Sequence, residues 1–263
     1  MDAIVTAGGQ FSPDDPLYKL TGIERKALIS LSGRPMVAWV IDALLQSDLI
    51  GHLIVVGLKP DDIPLKNASI HFIDSTGGII ENILAGLNEV VGINPAAQKV
   101  LLCSSDIPLI SPDIVRGFVE ECGSQEADFY YTVVEEKTLE ARFPNSKRSY
   151  IPFKGGRYSG GDLFLAAVDA PNKIDLNLMR ALTGSRKNYW QQLRLLNLGF
   201  IIRFIFRRMT VHDAAKRLSD ITHLDARAVV TRFAELGMDL DKEHQYEIIK
   251  TEMEKLKTQL RQT

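Results

Sequence analysis

Two acids and one lysine stand where short apolar runs break off, and their placement suits phosphoryl chemistry. Asp106 follows the run Val100-Leu-Leu-Cys103 and precedes Ile107-Pro108, so it is expected where a strand leaves a sheet. A carboxylate there is a usual ligand for a hard divalent cation such as Mg²⁺, which completes its shell with water and substrate phosphate. The plain alternative is a turn or capping acid, although Ser111-Pro112-Asp113 already supplies a helix start a few residues later. Met238-Asp-Leu-Asp241 offers a second acid just before a charged terminal helix. That segment is expected to turn only one of its two carboxylates to the site, with Asp241 favoured over Asp239; capping the next helix is the competing use of Asp241. Lys26 is expected to carry its ammonium back over the Gly8-Gly9 turn, where it would offset charge on a transferring phosphoryl group. Lys19 is its neighbouring competitor.

The stretch Asp2-Ala-Ile-Val-Thr-Ala-Gly-Gly-Gln10 reads as a strand running into a turn of small residues. Ala7, Gly8 and Gly9 would let backbone N–H groups approach an anion with no side chain in the way. Asp74-Ser-Thr-Gly-Gly78 sits between a strand and a helix; it fits a hydrogen bond to a base or ribose, and equally an Asp-initiated turn. In Tyr158-Ser-Gly-Gly-Asp-Leu-Phe164, Gly160, Gly161 and Asp162 are placed immediately before an apolar strand. They would admit a second substrate close to the backbone, with a β-bulge as the plain alternative. The histidines at 52, 71, 212, 223 and 244 have no metal-ligand spacing, and no G-x-S-x-G nucleophile turn occurs.

The elements that must hold these residues follow from apolar periodicity. Runs at 3–6, 53–56, 70–73 and 100–103 alternate with helical spacing at 36–46, 79–91 and 112–121. Such alternation implies a parallel sheet covered on both faces, with ligands at the carboxyl ends of its strands. From residue 128 the pattern changes to strands at 129–134, 150–153 and 163–168, read as a mixed or antiparallel extension. Another strand is expected at 226–230 and an amphipathic helix at 243–261. The whole of 1–263 is read as one domain with a mostly helical insertion at about 172–224, including helices at 193–208 and 211–221.

Composition bounds the partners. At 263 residues, 45% hydrophobic and 24% charged, the chain is an ordinary globular one, and its net charge of −2 gives no general attraction to nucleic acid. Small anionic ligands remain open. Cys103 and Cys122 have no metal spacing and are expected to be buried. No secretory signal begins the sequence, so a cytoplasmic location is expected.

Taken in order, Val5-Thr-Ala-Gly-Gly9, Arg25-Lys-Ala-Leu28 with Leu31-Ser-Gly-Arg-Pro35, Ser105-Asp-Ile-Pro108 and Met238-Asp-Leu-Asp241 resemble the nucleotidyltransferase family. That family includes molybdenum cofactor guanylyltransferase and cytidylyltransferase and the sugar-phosphate nucleotidyltransferases. The resemblance implies a Rossmann-like, three-layer nucleotide-diphospho-sugar transferase fold with a mixed, mainly parallel sheet. It implies Mg²⁺-dependent transfer of a nucleoside monophosphate from a nucleoside triphosphate to a small phosphorylated acceptor (sugar, polyol or pterin phosphate), with release of pyrophosphate. By position, Lys26 resembles the family's phosphate-contacting lysine, Asp106 its metal-binding aspartate, Asp241 a second acid, and Asp74 an acid near the nucleotide. Two departures matter. Gln10-Phe-Ser-Pro-Asp-Asp-Pro16 replaces a shorter loop that carries an arginine, leaving Arg25 as the substitute charge, and Gly160-Gly-Asp162 stands where one branch has Gly-Gly-Asn. A non-catalytic nucleotide-binding module on the same fold is the alternative reading.

The run Asn197-Leu-Gly-Phe-Ile-Ile-Arg-Phe-Ile-Phe-Arg-Arg208 is too short and too basic to span a bilayer, which needs roughly 20 mainly apolar residues. A packing helix, an acceptor-site wall, a homodimer face and a membrane-surface helix all fit it.

Overall fold

Successive side chains of the central strands point to opposite faces, and each face recruits its own helices. The computed structural model describes residues 1–65, 67–124, 126–175, 177, 180 and 209–260. The strands are β1 (Asp2–Thr6), β2 (Ser30–Leu31), β3 (Arg34–Pro35), β4 (Leu53–Val56), β5 (Ile70–Ile73), β6 (Lys99–Ser104), β7 (Phe129–Glu135), β8 (Ile151–Phe153), β9 (Gly156–Ala167) and β10 (Ala226–Thr231). The helices are α1 (Pro16–Thr21), α2 (Met36–Leu45), α3 (Ile79–Ile93), α4 (Pro112–Cys122), α5 (Glu136–Arg142), α6 (Val211–Thr222) and α7 (Glu243–Leu260).

The main sheet runs β10-β7-β9-β6-β1-β4-β5, with β8 on β9, and β2–β3 form a separate hairpin. β1 pairs in parallel with β4 and β6, β4 with β5, and β10 with β7; β9 lies antiparallel to β6, β7 and β8. This is the mixed, mainly parallel sheet expected, between two helical layers. On one face Ala3, Val5, Leu53, Val55, Leu101 and Cys103 pack with Val37, Val40, Ile41 and Leu44 of α2 and Val115 and Phe118 of α4. On the other face Ile4, Ile54, Val56, Val100 and Leu102 meet Leu87 and Val90 of α3. All of these strand residues are nearly or wholly removed from water, which supplies the main driving force for the layering.

Helix starts follow local chemistry. Ser111 caps α4 by accepting from the Ile114 N–H at 3.3 Å, with Pro112 at the first helical position. Both cysteines are buried; burial pushes the Cys122 thiol up to about 12, with Glu121 adding to the effect.

Two local expectations are corrected. The polar first loop contains a helix, α1, capped by Asp15 and closed by Gly22 in the left-handed region, and the wholly buried Leu17 anchors it. One apolar residue on a short polar stretch is too weak a periodic signal to show this. The strand expected at 163–168 begins at Gly156, because pairing with β7 and β8 outweighs the cost of glycine in a strand. Val211–Thr222 is helical within the expected insertion, whereas the helix read at 193–208, with its apolar run, lies outside the described residues. Among the described residues no helix is long and apolar enough to cross a membrane.

Candidate active site

The carboxyl ends of β1, β4 and β6 converge on a glycine turn and an acid cluster. β1 ends at Thr6, whose carbonyl accepts from the Ser105 N–H at 3.2 Å, while the Ala7 N–H donates to Val56 at 2.8 Å. Gly8 is pressed from both sides. A Cβ there would lie 2.9 Å from Ser75 Oγ, and one on Gly57 would lie 2.4 Å from Gly8 Cα. Gly57 also has φ +100°, so both space and backbone demand glycine. Asn82, buried at the start of α3, steadies the neighbouring loop by accepting from Ser75 Oγ at 3.1 Å and Thr76 N–H at 2.8 Å. Sequence reading did not single out Asn82, because a lone polar residue on an apolar helix face carries no periodic signal. Asp74 is exposed at the end of β5.

Lys26 opens a short 3-10 turn after Arg25 and donates its backbone N–H to Gly9 at 3.1 Å. Its side chain passes the glycine turn and ends between two acids, 2.6 Å from Asp106 Oδ2 and 2.5 Å from Asp241 Oδ1. The expected position over Gly8-Gly9 is therefore held by the backbone, and the ammonium lies beyond it. Arg25 is engaged elsewhere: its fork meets both carboxylate oxygens of Asp62 at 2.6 Å. This pair ties the glycine loop to the turn after β4, and Asp62 also accepts from the Lys59 N–H at 2.7 Å.

Asp106 lies two residues beyond β6, accepts from Ser104 Oγ at 2.5 Å, and takes the Leu240 N–H on its carbonyl at 3.0 Å. That last bond carries the segment 238–241 across the site. Met238 and Leu240 are wholly buried in a cluster with Ile249 and Met253. Residues two apart on extended backbone share a side, so Asp239 and Asp241 both turn away from that core. The expectation of a single acid is corrected: Asp106, Asp239 and Asp241 bring ligand oxygens within 4.8 Å of one another. Asp241 gives its carboxylate to Lys26, and its backbone N–H donates to Gln245 Oε1 at 3.0 Å.

A fourth acid comes from β9. The β7–β9 register shifts between Tyr131 and Val133, so Gly161, Asp162 and Leu163 form an irregularity of the bulge kind. Gly161 is buried where a Cβ would lie 2.6 Å from Thr132 Cγ2 and 2.9 Å from the Leu236 carbonyl, whereas Gly160 faces open space. Asp162 emerges beside the other acids. Burial pushes its carboxyl well above the usual range, and the charges of Asp106 and Asp239 push the same way. Burial and Asp106 likewise raise Asp239 to about 7, against the pull of Arg148. For Asp241 burial is overcome by Lys26, and the carboxyl falls to about 2. Lys26 itself is held above its ordinary value, because Asp106 and Asp241 outweigh the burial that opposes its charge.

Arg148, which sequence reading passed over, makes an ion pair with Asp239 and is the second cation of the cluster. Among the described residues four carboxylates therefore face two cations, and the surplus of negative charge suits a bound cation.

A family model described as the MobA-like NTP transferase domain matches residues 3–152. The chain is 30% identical to a hypothetical transferase from Thermus thermophilus of solved structure, covering 93% of this chain and 98% of that one with a TM-score of 0.79. It is 29% identical over 110 residues to the bifunctional protein GlmU of Geobacter metallireducens, an alignment that takes in 39% of this chain and 22% of that protein. Two further structures share the fold. They are 4-diphosphocytidyl-2C-methyl-D-erythritol synthase from Anaerococcus prevotii (12% identity, 96% of this chain and 95% of that one, TM-score 0.56) and a CMP:2-keto-3-deoxy-manno-octonic acid synthetase complexed with CTP (14% identity, 97% and 99%, TM-score 0.55).

Proposed function

We propose, since the chain belongs to the MobA-like NTP transferase family, that it joins the nucleoside monophosphate of a nucleoside triphosphate to a phosphate oxygen of a small acceptor and releases pyrophosphate. The observation that carries this reading is the meeting of Lys26 with Asp106 and Asp241 at the carboxyl ends of β1 and β6, beside the Gly8-Gly9 turn. The acceptor class we favour is a sugar, polyol or pterin phosphate.

In this reading an acceptor phosphate oxygen attacks the α-phosphorus as the bond to pyrophosphate breaks. The acceptor is ionised near neutrality, so no strong base is required, and catalysis rests on alignment and charge neutralisation. Backbone N–H groups of Gly8 and Gly9 would orient the phosphates, the expected Ala7 N–H being taken instead by the Val56 carbonyl; Lys26 would neutralise the developing charge, and the β9 bulge at Gly160, Gly161 and Asp162 would border the acceptor. Asp74, exposed beyond β5, would meet the nucleoside. The donor set fits Mg²⁺: it is all oxygen, with three carboxylates in reach of one ion. Asp106 and Asp241, with Asp239 beside them, would hold the ion, which would supply charge neutralisation on the phosphates.

The test is pyrophosphate release in Mg²⁺ with each of the four common nucleoside triphosphates against sugar, polyol and pterin phosphates. Release with one triphosphate and one acceptor class is expected. The competing reading, a nucleotide-binding module without turnover, draws on α1, which brings Asp14 and Asp15 to the first loop. Nucleotide binding with no release across the panel would favour it.

Lys26 already occupies two of the carboxylates a metal would use, so the two cations compete. Lys26→Met is expected to bind Mn²⁺ roughly tenfold tighter than wild type, read from the free-Mn²⁺ resonance signal, because a like charge a few ångströms away is removed. Weaker binding would refute the competition.

Arg25 gives a separate expectation. With its fork on Asp62, it acts on nucleotide through the loop it ties down. Arg25→Met and Asp62→Asn should each raise KM for the triphosphate about three- to tenfold, and the double variant should be no worse than either. A lowered KM in Asp62→Asn would instead make Arg25 a direct phosphate ligand.

A further inference from the structure

Arg148 reaches the acid cluster on a braced loop that holds two residues in the left-handed region. The loop joins α5 to β8, and Asn145 and Lys147 hold φ of 60° and 52°, left-handed values uncommon outside glycine. Such strain persists where the surroundings over-determine it and gathers at functional sites. Here Glu140 is the brace: it accepts from the Asn145 N–H at 2.8 Å, Ser146 Oγ at 2.7 Å and the Tyr150 hydroxyl at 2.7 Å. His244, in the first turn of α7, donates from Nε2 to the Ser146 carbonyl at 2.8 Å, locking the loop to the segment that follows Asp241. The product of this construction is one guanidinium, 13% exposed, paired with Asp239. Its Nε is buried and, among the described residues, has no hydrogen-bond partner.

We propose that Arg148 is the seat of the acceptor's phosphate, with Asp239 holding the guanidinium in place until that phosphate arrives. The inference rests on the transferase reading. A phosphate monoester approaching four carboxylates meets repulsion unless a cation receives it, and Lys26 is already shared by Asp106 and Asp241. Arg148 approaches from the side of Asp239 and Asp162, next to the β9 bulge. A planar fork with donors to spare matches a phosphate better than it matches one carboxylate oxygen.

Inorganic phosphate is the probe, titrated by calorimetry into the full chain in excess Mg²⁺ and saturated with an α,β-methylene nucleoside triphosphate, all four bases being tried. Arg148→Met is expected to weaken phosphate binding about tenfold or more, and Arg148→Lys to recover part of it, with affinity for the nucleotide analogue unchanged. Asp239→Asn frees the guanidinium and is expected to strengthen phosphate binding; a purely structural ion pair would make both substitutions weaken it. If Arg148→Met fails to fold in a thermal melt, Arg148→Lys alone decides, because loss of the fork still weakens the phosphate. Nucleotide-loaded wild type that binds no phosphate, or phosphate affinity equal in wild type and the Arg148 variants, overturns the inference alone. Failure of every analogue to bind overturns the transferase reading and the inference with it.

Discussion

Asp106→Asn is expected to lower kcat for pyrophosphate release by about a thousandfold or more, the scale reached when a main electrostatic element of a transfer site is removed. The substitution is nearly isosteric. It keeps the carbonyl that receives the Leu240 N–H, so the segment bearing Asp239 and Asp241 stays in place. It removes the negative charge that Lys26 and Ser104 both hold, and with it one of three anionic ligands in reach of a common ion. It also relieves crowding of negative charge, since the charge of Asp106 helps raise both Asp162 and Asp239. Thermal stability should therefore match or exceed that of wild type while turnover collapses. Turnover that stays metal-dependent and near wild type would remove Asp106 from the chemistry.

The second large effect is expected at Gly57, which packs against the backbone of the glycine turn. In Gly57→Ala the new methyl would lie 2.4 Å from Gly8 Cα, 2.6 Å from Gly8 N and 3.1 Å from Ala7 C, all backbone that cannot swing aside. The φ of +100° adds a conformational penalty for any side chain. We expect a loss of about 2–4 kcal/mol in denaturant unfolding, from overpacking and strain together. Nucleotide affinity should fall more than tenfold, because the displaced backbone is the turn meant to face the phosphates. Reduced stability with unchanged nucleotide affinity would show that the Gly8-Gly9 turn has another purpose.

The alternation of apolar runs and helical spacing revealed the central sheet, because buried parallel strands and their covering helices have distinct periods. β1, β4, β5 and β6 and helices α2, α3 and α4 lie within a few residues of their expected positions. Asp106, Lys26 and Asp241 were visible as charged residues at the ends of such runs, and the fold brings them together. Four features escaped. Asp239 was discounted although it shares a side with Asp241. Arg148 sits in a polar stretch where one arginine looks like any other, and the bonds to nearby Glu140 and distant His244 that aim its loop have no periodic signature. Arg25 looked like a free charge because its partner Asp62 lies 37 residues away. At Gly160-Gly161-Asp162 a β-bulge was one of two readings, but its register against β7 is a non-local fact that no run of residues encodes.

The matched family region ends at residue 152, whereas Asp241 closes a contact with Lys26 across 215 residues of chain. Glycine turn, lysine and first acid are thus made early, and the acid pair that completes the cluster is made late. A growing chain can lay down most of the sheet before Asp239 and Asp241 exist. During synthesis, at about 5–20 residues per second, a period of roughly 7 to 27 seconds separates Asp106 from them. Through that interval the nascent protein has the glycine turn, Lys26 and Asp106 but lacks two of the three acids of the cluster, so the site is assembled in two stages set by the order of the chain.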